Sequence, residues 1–407
     1  MKTVYLDNNA TTRTAPEVVD AMLPFFSDLY GNASSMHSFG GQVERHLARA
    51  REQVAALIGA HPAEIVFTSC GTESNNAAIM GTLYSYPAKR HIVTCRTEHP
   101  AVMNVGHHLQ SRGYRVTELG VDRQGNLDLD ELRGALCDDT ALVSIMSANN
   151  ETGVLFPVDT IAAITRERGI PFHTDAVQAV GKIPLNMADN AIDLLSLSGH
   201  KLHAPKGIGA LYIRKGTRFA PFMIGGHQEG GRRGGTENVP SIVGLGKAAE
   251  LAGDRLEEEN TRVRQLRDRL ESQLLARIPN ALVNGNPDCR LPNTSNLSFE
   301  YIEGESILML LDEEGICASS GSACTSGSLQ PSHVLRAMGV PFTAAHGSVR
   351  FSLSIYNDAA DVDHVIEVMP AIIERIRDMS PFWKDFQAGK PMSSFFTGGD
   401  AEHHLHG

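Results

Sequence analysis

The chain has 407 residues, 42% of them hydrophobic and 20% charged, with a formal net charge of -11 at pH 7. A chain of that length buries a sizeable core and usually divides into two or three domains, while its acidity argues against nucleic acid or an anionic membrane as the main partner. Its six cysteines are dispersed without a CxxC pair, which points to a reducing compartment; no run approaches the ~20 apolar residues of a membrane span. The opening MKTVYLDNNATT has no apolar signal segment, so a cytoplasmic address is expected.

In chain order, segments 16–29 and 43–58 carry apolar residues three and four apart and are predicted as amphipathic helices. Strand-length apolar runs follow at 64–68, 91–95, 115–119, 140–147, 171–174 and 193–197, most of them separated by helix-like stretches. That alternation predicts an α/β domain over 15–255 with a large, mostly parallel sheet and chemistry at the carboxyl ends of its strands. A charged helical pattern at 239–278 reads as a solvated connecting helix. Beyond it come an apolar run at 294–299, a helix near 305–314, a Gly/Ser-rich segment at 319–328, a helix at 333–338, a strand at 348–354 and a helix at 360–379. These elements form a smaller α+β domain of 256–385, which the extended residues 1–14 can join. Residues 386–407, with His403, His404 and His406, read as a flexible tail.

The chemistry begins at Ser198-Gly199-His200-Lys201, directly after the run 193–197. A lysine desolvated at the end of a buried strand has a depressed pKa and attacks aldehydes, as a pyridoxal-phosphate Schiff base requires. Taken alone, a surface lysine in a loop is the commoner case. Asp175 ends the preceding strand, about two dozen positions earlier, where its carboxylate can keep a pyridinium nitrogen protonated. Gln178 is within reach of the ring's phenolic oxygen. Gly71 and Thr72, after the strand 64–68, open a helix whose free N–H groups suit a phosphate; a plain helix cap is the simpler reading of the same residues. His99 can stack on the ring and pass protons, and Asn150 can touch ring or substrate, although a core histidine and a turn asparagine are the plainer alternatives.

These residues lie in Asn8-Asn9-Ala10-Thr11-Thr12, Thr72-Glu73-Ser74-Asn75, Glu98-His99, Asn149-Asn150-Glu151-Thr152-Gly153, His173-Thr174-Asp175-Ala176-Val177-Gln178 and Ser198-Gly199-His200-Lys201. Their order resembles the cysteine desulfurase family from about residue 3 to 380. The resemblance implies fold-type I (aspartate aminotransferase-like) architecture, pyridoxal phosphate as cofactor and a homodimer. It implies cofactor contacts from Gly71, Thr72, Glu73, His99, Asn150, Asp175, Gln178, Ser198, His200 and Lys201, with Thr236 reaching the phosphate of the neighbouring subunit. Cys324, in Ser319-Ser320-Gly321-Ser322-Ala323-Cys324-Thr325-Ser326-Gly327, separates this family from aminotransferases. Its small, polar surroundings predict an exposed, mobile thiol that suits a sulfur carrier. Cys317, Cys70 and Cys95 are read as packing. Arg350 alternates with apolar neighbours on a strand, and its fork matches the α-carboxylate of L-cysteine.

The expected reaction converts L-cysteine to alanine, with Lys201 as base, His99 as proton carrier and Cys324 as sulfur acceptor. Within the family, the long Ser/Gly segment resembles the group of housekeeping and nitrogen-fixation enzymes. Gly235-Thr236-Glu237-Asn238 and Ser332-His333-Val334-Leu335-Arg336-Ala337-Met338 look closer to the nitrogen-fixation (NifS) type, whose acceptor is an iron–sulfur scaffold protein. No resident metal ligands are read; Cys324 as a transient ligand of an iron–sulfur cluster stays open. So do two other readings: another pyridoxal-phosphate enzyme, such as an aminotransferase or selenocysteine lyase, and a scaffold that only delivers sulfur.

Overall fold

The computed structural model describes residues 2–320 and 331–389; Cys324 and the segment around it, and the tail from residue 390, lie outside the described residues. The strands in chain order are β1 (Val4–Tyr5), β2 (Ile65–Thr68), β3 (His91–Cys95), β4 (Arg115–Leu119), β5 (Thr140–Ser144), β6 (Phe172–Asp175), β7 (Leu194–Ser198), β8 (Gly209–Ile213), β9 (Ala281–Val283), β10 (Thr294–Phe299), β11 (Ile316–Cys317) and β12 (Ser348–Ser352).

A seven-stranded sheet in the order β2-β8-β7-β6-β5-β3-β4 dominates the fold. Neighbours from β7 to β4 are parallel, while β8 runs antiparallel to both β7 and β2. β2 therefore points the same way as β3 to β7, and the carboxyl ends of all these strands share one edge. The runs are short and apolar because both faces are covered. One face packs on Val54, Ile161, Ala176 and Leu245, and the other on Ile79, Leu83, Val105 and Leu109. At the sheet's centre the buried His173 bonds Ser144 on β5 through Nδ1 (2.8 Å) and Ser196 on β7 through Nε2 (2.9 Å). Burial lowers its pKa to about 3, so the ring is neutral and joins three strands two positions before Asp175. The expected α/β class with a mostly parallel sheet is what the chain adopts; β8, which the apolar pattern did not reveal, lies between β7 and β2 and joins β2 to the rest of the sheet.

A second core gathers Val4, Leu6, Val263, Leu270, Leu297, Phe299, Val349, Phe351, Val365 and Met369 around the antiparallel sheet β12-β10-β9. β1 pairs in parallel with β11, so Cys317 is half-buried at its end. The segment read as one helix over 16–29 is two, Pro16–Met22 and Pro24–Ser27, because Pro24 starts a new turn. The segment read as one solvated helix over 239–278 is also interrupted. Val239–Asp254 ends at Arg255, a π turn occupies Glu259–Val263, and Arg264–Arg277 completes it. It buries Leu266, Leu270 and Leu274 and, against expectation, Glu259, Arg267 and Glu271. Among the described residues no helix is long and apolar enough to cross a membrane.

Candidate active site

At the carboxyl edge of the large sheet lies a cavity of about 380 Å³, within the range of small-molecule sites. Five strand ends feed it. β7 delivers Ser198 and then a tight 3-10 turn, Gly199–Lys201, which throws Lys201 over the edge. β6 ends in Asp175. The loops after β3 and β5 bring His99 and Asn150, and β2 leads into the helix Gly71–Ser85. Arg350, from β12, reaches in from the second core. Gly71, Thr72, His99, Asn150, Asp175, Gln178, Ser198, His200, Lys201 and Arg350 thus share one cavity, as the sequence had grouped them.

Lys201 Nζ donates to the carbonyl of Ala10 at 2.7 Å and to that of Asn9. Burial lowers its pKa to about 7, with the positive charges of Lys182 and Arg350 acting in the same direction. A large fraction of its amine is therefore neutral near pH 7, which is the nucleophilic form. Asp175, only 6% exposed, accepts from Asn75 Nδ2 at 2.6 Å and from the N–H of Val177 at 3.0 Å. His99 caps the helix Pro100–Ser111, its Nδ1 accepting the N–H of Ala101 at 3.1 Å. That bond leaves Nε2 to carry the proton of the neutral ring. The ring opens to the cavity, yet surrounding protein removes enough solvent to lower its pKa; Asp175 opposes the shift, and Lys201 and His333 add to it. Burial also lowers His200 to about 4, and its Nδ1 is 3.2 Å from Thr11 Oγ1.

The helix beginning at Gly71 presents free first-turn N–H groups to the cavity. A Cβ at Gly71 would lie 2.8 Å from Val177 Cγ2 and 3.3 Å from Ser198 Cβ, so a larger residue there would have to displace its neighbours. Glu73 behaves differently from the other site candidates: its carboxylate pairs with Arg233 (2.8 Å) and accepts the N–H of Ser69 (2.7 Å) instead of lining the cavity. Gln178 Nε2 donates to Asn9 O at 3.0 Å. Thr236 is exposed and lies away from this cavity.

Several participants escaped the sequence reading. Cys70, read as packing, lines the cavity and caps the phosphate-type helix, its sulfur accepting the N–H of Glu73 at 3.5 Å. Asp7 binds Arg350 Nη2 at 2.6 Å, while Nη1 donates to the carbonyl of Asn150 at 3.0 Å. Asn9 ties the two cores together: its side chain bonds Thr294 (2.8 Å), Asn293 (3.1 Å) and the carbonyl of Asn150 (3.2 Å). The motif around Asn9 was the available signal; its bonding partners, far away in sequence, were not.

Pyridoxal phosphate fits this donor set. A depressed lysine suits its aldehyde, a buried carboxylate its ring nitrogen, and a helix N-terminus with Ser198 and His200 nearby its phosphate. The aminotransferase class-V model matches residues 4–365. The chain is 62% identical over 385 residues to a cysteine desulfurase of Trichormus azollae, covering 95% of this chain and 96% of that one. It is 58% identical over 384 residues to the cysteine desulfurase NifS of Azotobacter vinelandii, covering 94% and 96%. A solved structure of a NifS-like protein superposes with a TM-score of 0.87 at 39% identity, covering 92% of this chain and all (100%) of that one.

Proposed function

Because the chain belongs to the aminotransferase class-V family and, within it, to the cysteine desulfurases, we propose that it takes the sulfur of L-cysteine onto Cys324 and releases alanine. The observation that carries this reading is a lysine amine of lowered pKa sharing one cavity with a buried carboxylate and a glycine-opened helix N-terminus. When bound, pyridoxal phosphate supplies an electron sink for the charge left at the substrate's Cα.

The chain's own residues have separable tasks. Lys201 binds the cofactor through Nζ and, once released, moves the Cα proton. Asp175 holds the proton on the ring nitrogen, with Gln178 and His99 at the ring. Gly71, Thr72, Ser198 and His200 bind the phosphate, together with Thr236 from the second copy of a homodimer. For Glu73, the support is for fixing the helix start through Arg233 and Ser69 rather than for direct contact. Arg350, with Asn150, holds the substrate carboxylate; Asp7 already fixes one arm of its fork. Cys324, as thiolate, attacks the substrate Sγ, so that an S–S bond forms and the Cβ–Sγ bond breaks. The electron pair left on the carbon skeleton is protonated, giving alanine, with His99 or Lys201 as the proton source.

The persulfide then passes to an iron–sulfur scaffold protein, in support of nitrogenase as the likeness to NifS suggests, and we place the work in the cytoplasm. The test is an assay with L-cysteine and a reductant that scores alanine and sulfide together, beside Cys324→Ala. Equal yields, lost in the variant with its yellow colour retained, are expected. Pyruvate exchange in place of sulfide, or sulfide undiminished in Cys324→Ala, would overturn the reading.

A further inference from the structure

Lys201 also lines a second, smaller pocket with a space of about 30 Å³, enough for a water molecule. Lys182, Lys201, Glu259, Arg255, His203 and Asn8 are among the residues that wall it. Two of these are buried charges without a described role. Lys182 is 5% exposed and Glu259 7%. Lys182 Nζ makes a single long hydrogen bond, 3.4 Å to Gln178 Oε1, and Glu259 Oε2 has no partner at all. Neither group is within ion-pair distance of the other, yet both face the same space.

The backbone holds them there deliberately. Glu259 is the first residue of the π turn that interrupts the long helix, and such turns are frequent at functional sites. The next residue, Asn260, clamps the Lys182 carbonyl at 2.8 Å. Burying an ammonium and a carboxylate is costly, and hydrophobic residues of the same volume would often pack as well. A structural account alone leaves this choice unexplained.

We propose that Lys182 and Glu259 form a water-bridged charge pair that holds the Lys201 amine in its neutral, nucleophilic state. Lys182 is then a positioning residue, acting through Lys201. A cation beside an amine disfavours its protonation, and a second cationic group is a known way of activating a lysine. Glu259 has the complementary task of keeping Lys182 charged. Burial lowers Lys182 to about 8, opposed by Glu259 and reinforced by Arg350; burial raises Glu259 to about 7, opposed by Lys182, reinforced by Glu258 and opposed again by Arg262. The other charged groups facing Lys201 are Arg350, which acts like Lys182, and Asp7 and Asp175, which act against it. His203, lowered to about 4 mainly by burial, is neutral in the relevant range, and so is His200.

The inference rests on the assignment of Lys201 as the cofactor-binding amine, and the test keeps the two apart. Cofactor-free full-length protein is mixed with pyridoxal phosphate, and the second-order rate of yellow-band formation is followed against pH. The wild type is expected to show a midpoint near pH 7. Lys182→Met and Glu259→Gln are expected to move it upward by about one unit, which is roughly tenfold slower capture on the acid side. Lys182→Arg, which keeps the charge, is expected to restore the wild-type midpoint. The double variant is expected to match Lys182→Met, since both substitutions remove one effect. Circular dichroism establishes that each variant is folded; if Lys182→Met is not, Glu259→Gln against Lys182→Arg decides. A wild type that captures no cofactor defeats the Lys201 assignment. A wild type that captures it, with midpoints unmoved in the folded variants, defeats the charge-pair proposal.

Discussion

Single residues show where this chain sacrifices stability for chemistry. Lys201 and Asp175 could be placed from sequence because strand ends in α/β sheets are where reactive groups gather, and a lysine and an aspartate there are hard to explain otherwise. Asp7, Asn9 and Lys182 were not legible as individual roles, because each acts through partners hundreds of positions away or through shared burial. The depressed Lys201 makes a specific prediction for the cofactor-free protein. Between pH 7 and 10.5 the unfolded chain binds a proton at this amine that the folded chain does not. Stability therefore rises with pH across that window, and the cost of the buried amine is fully present below it. Lys201→Met should raise the melting temperature of the cofactor-free protein at pH 7, and the advantage should shrink as pH approaches 10. A variant that melts lower than wild type at pH 7 would show that the amine's hydrogen bonds to Asn9 and Ala10 outweigh its burial.

At the level of elements, the alternation of helix and strand was readable from periodicity, but the antiparallel β8 was not. Gly209 opens it just after Pro205-Lys206-Gly207, so its five residues look like the end of a loop. The structure gives that glycine a task. Gly209 pairs with Thr68 at the end of β2 and with Ser198 at the end of β7. A Cβ there would lie 2.8 Å from the carbonyl carbon of Cys70 and 2.8 Å from Leu197 O, both of them backbone atoms that cannot swing aside. Gly209→Ala should thus push apart the two strand ends that aim the phosphate-type helix and Lys201. A loss of about 1–3 kcal/mol of stability is expected from such overpacking, accompanied by weaker cofactor retention on dialysis. Normal stability with weakened retention would also locate the effect at the helix start; both unchanged would mean the strands yield freely. The helix at 239–278 misled for a related reason: its charge pattern is that of a solvated helix, and only the fold reveals that Arg267 and Glu271 turn inward.

Across the whole molecule, polar groups as well as apolar ones join the two cores. Buried Arg290 donates two hydrogen bonds of 2.6 Å each, from Nη1 and Nη2, to the two carboxylate oxygens of buried Glu271. Ser295 on β10 adds a 2.7 Å bond to the same carboxylate, and Arg267 reaches the carbonyls of Leu291 and Thr294 at 3.1 Å each. One residue from Arg290, Leu291 packs in the large-sheet core, and Asn9 spans from Thr294 to Asn150 beside the active site. The network therefore links the sheet that carries Arg350 to the sheet that carries Lys201. Burial raises the Glu271 carboxyl, but the bonds and charge of Arg290, with Ser295 and Arg267, outweigh it and hold the pKa below the ordinary carboxylate value. Its contribution to stability is present above pH 4.5 and is lost as pH falls through the lower folded value. Glu271→Gln removes the anion and leaves the buried Arg290 guanidinium without its partner, a loss of about 3–5 kcal/mol by comparison with other broken buried pairs. The urea midpoint at pH 7 should fall, and the gap from wild type should close in acid, where the wild-type carboxyl is itself protonated. If the network also sets the distance between Arg350 and Lys201, the variant's KM for L-cysteine should rise under conditions where the protein is still fully folded. A fall in stability with KM unchanged would confine the Glu271–Arg290 pair to holding the cores together and leave the spacing of the site to the contacts of Asn9 and Asp7.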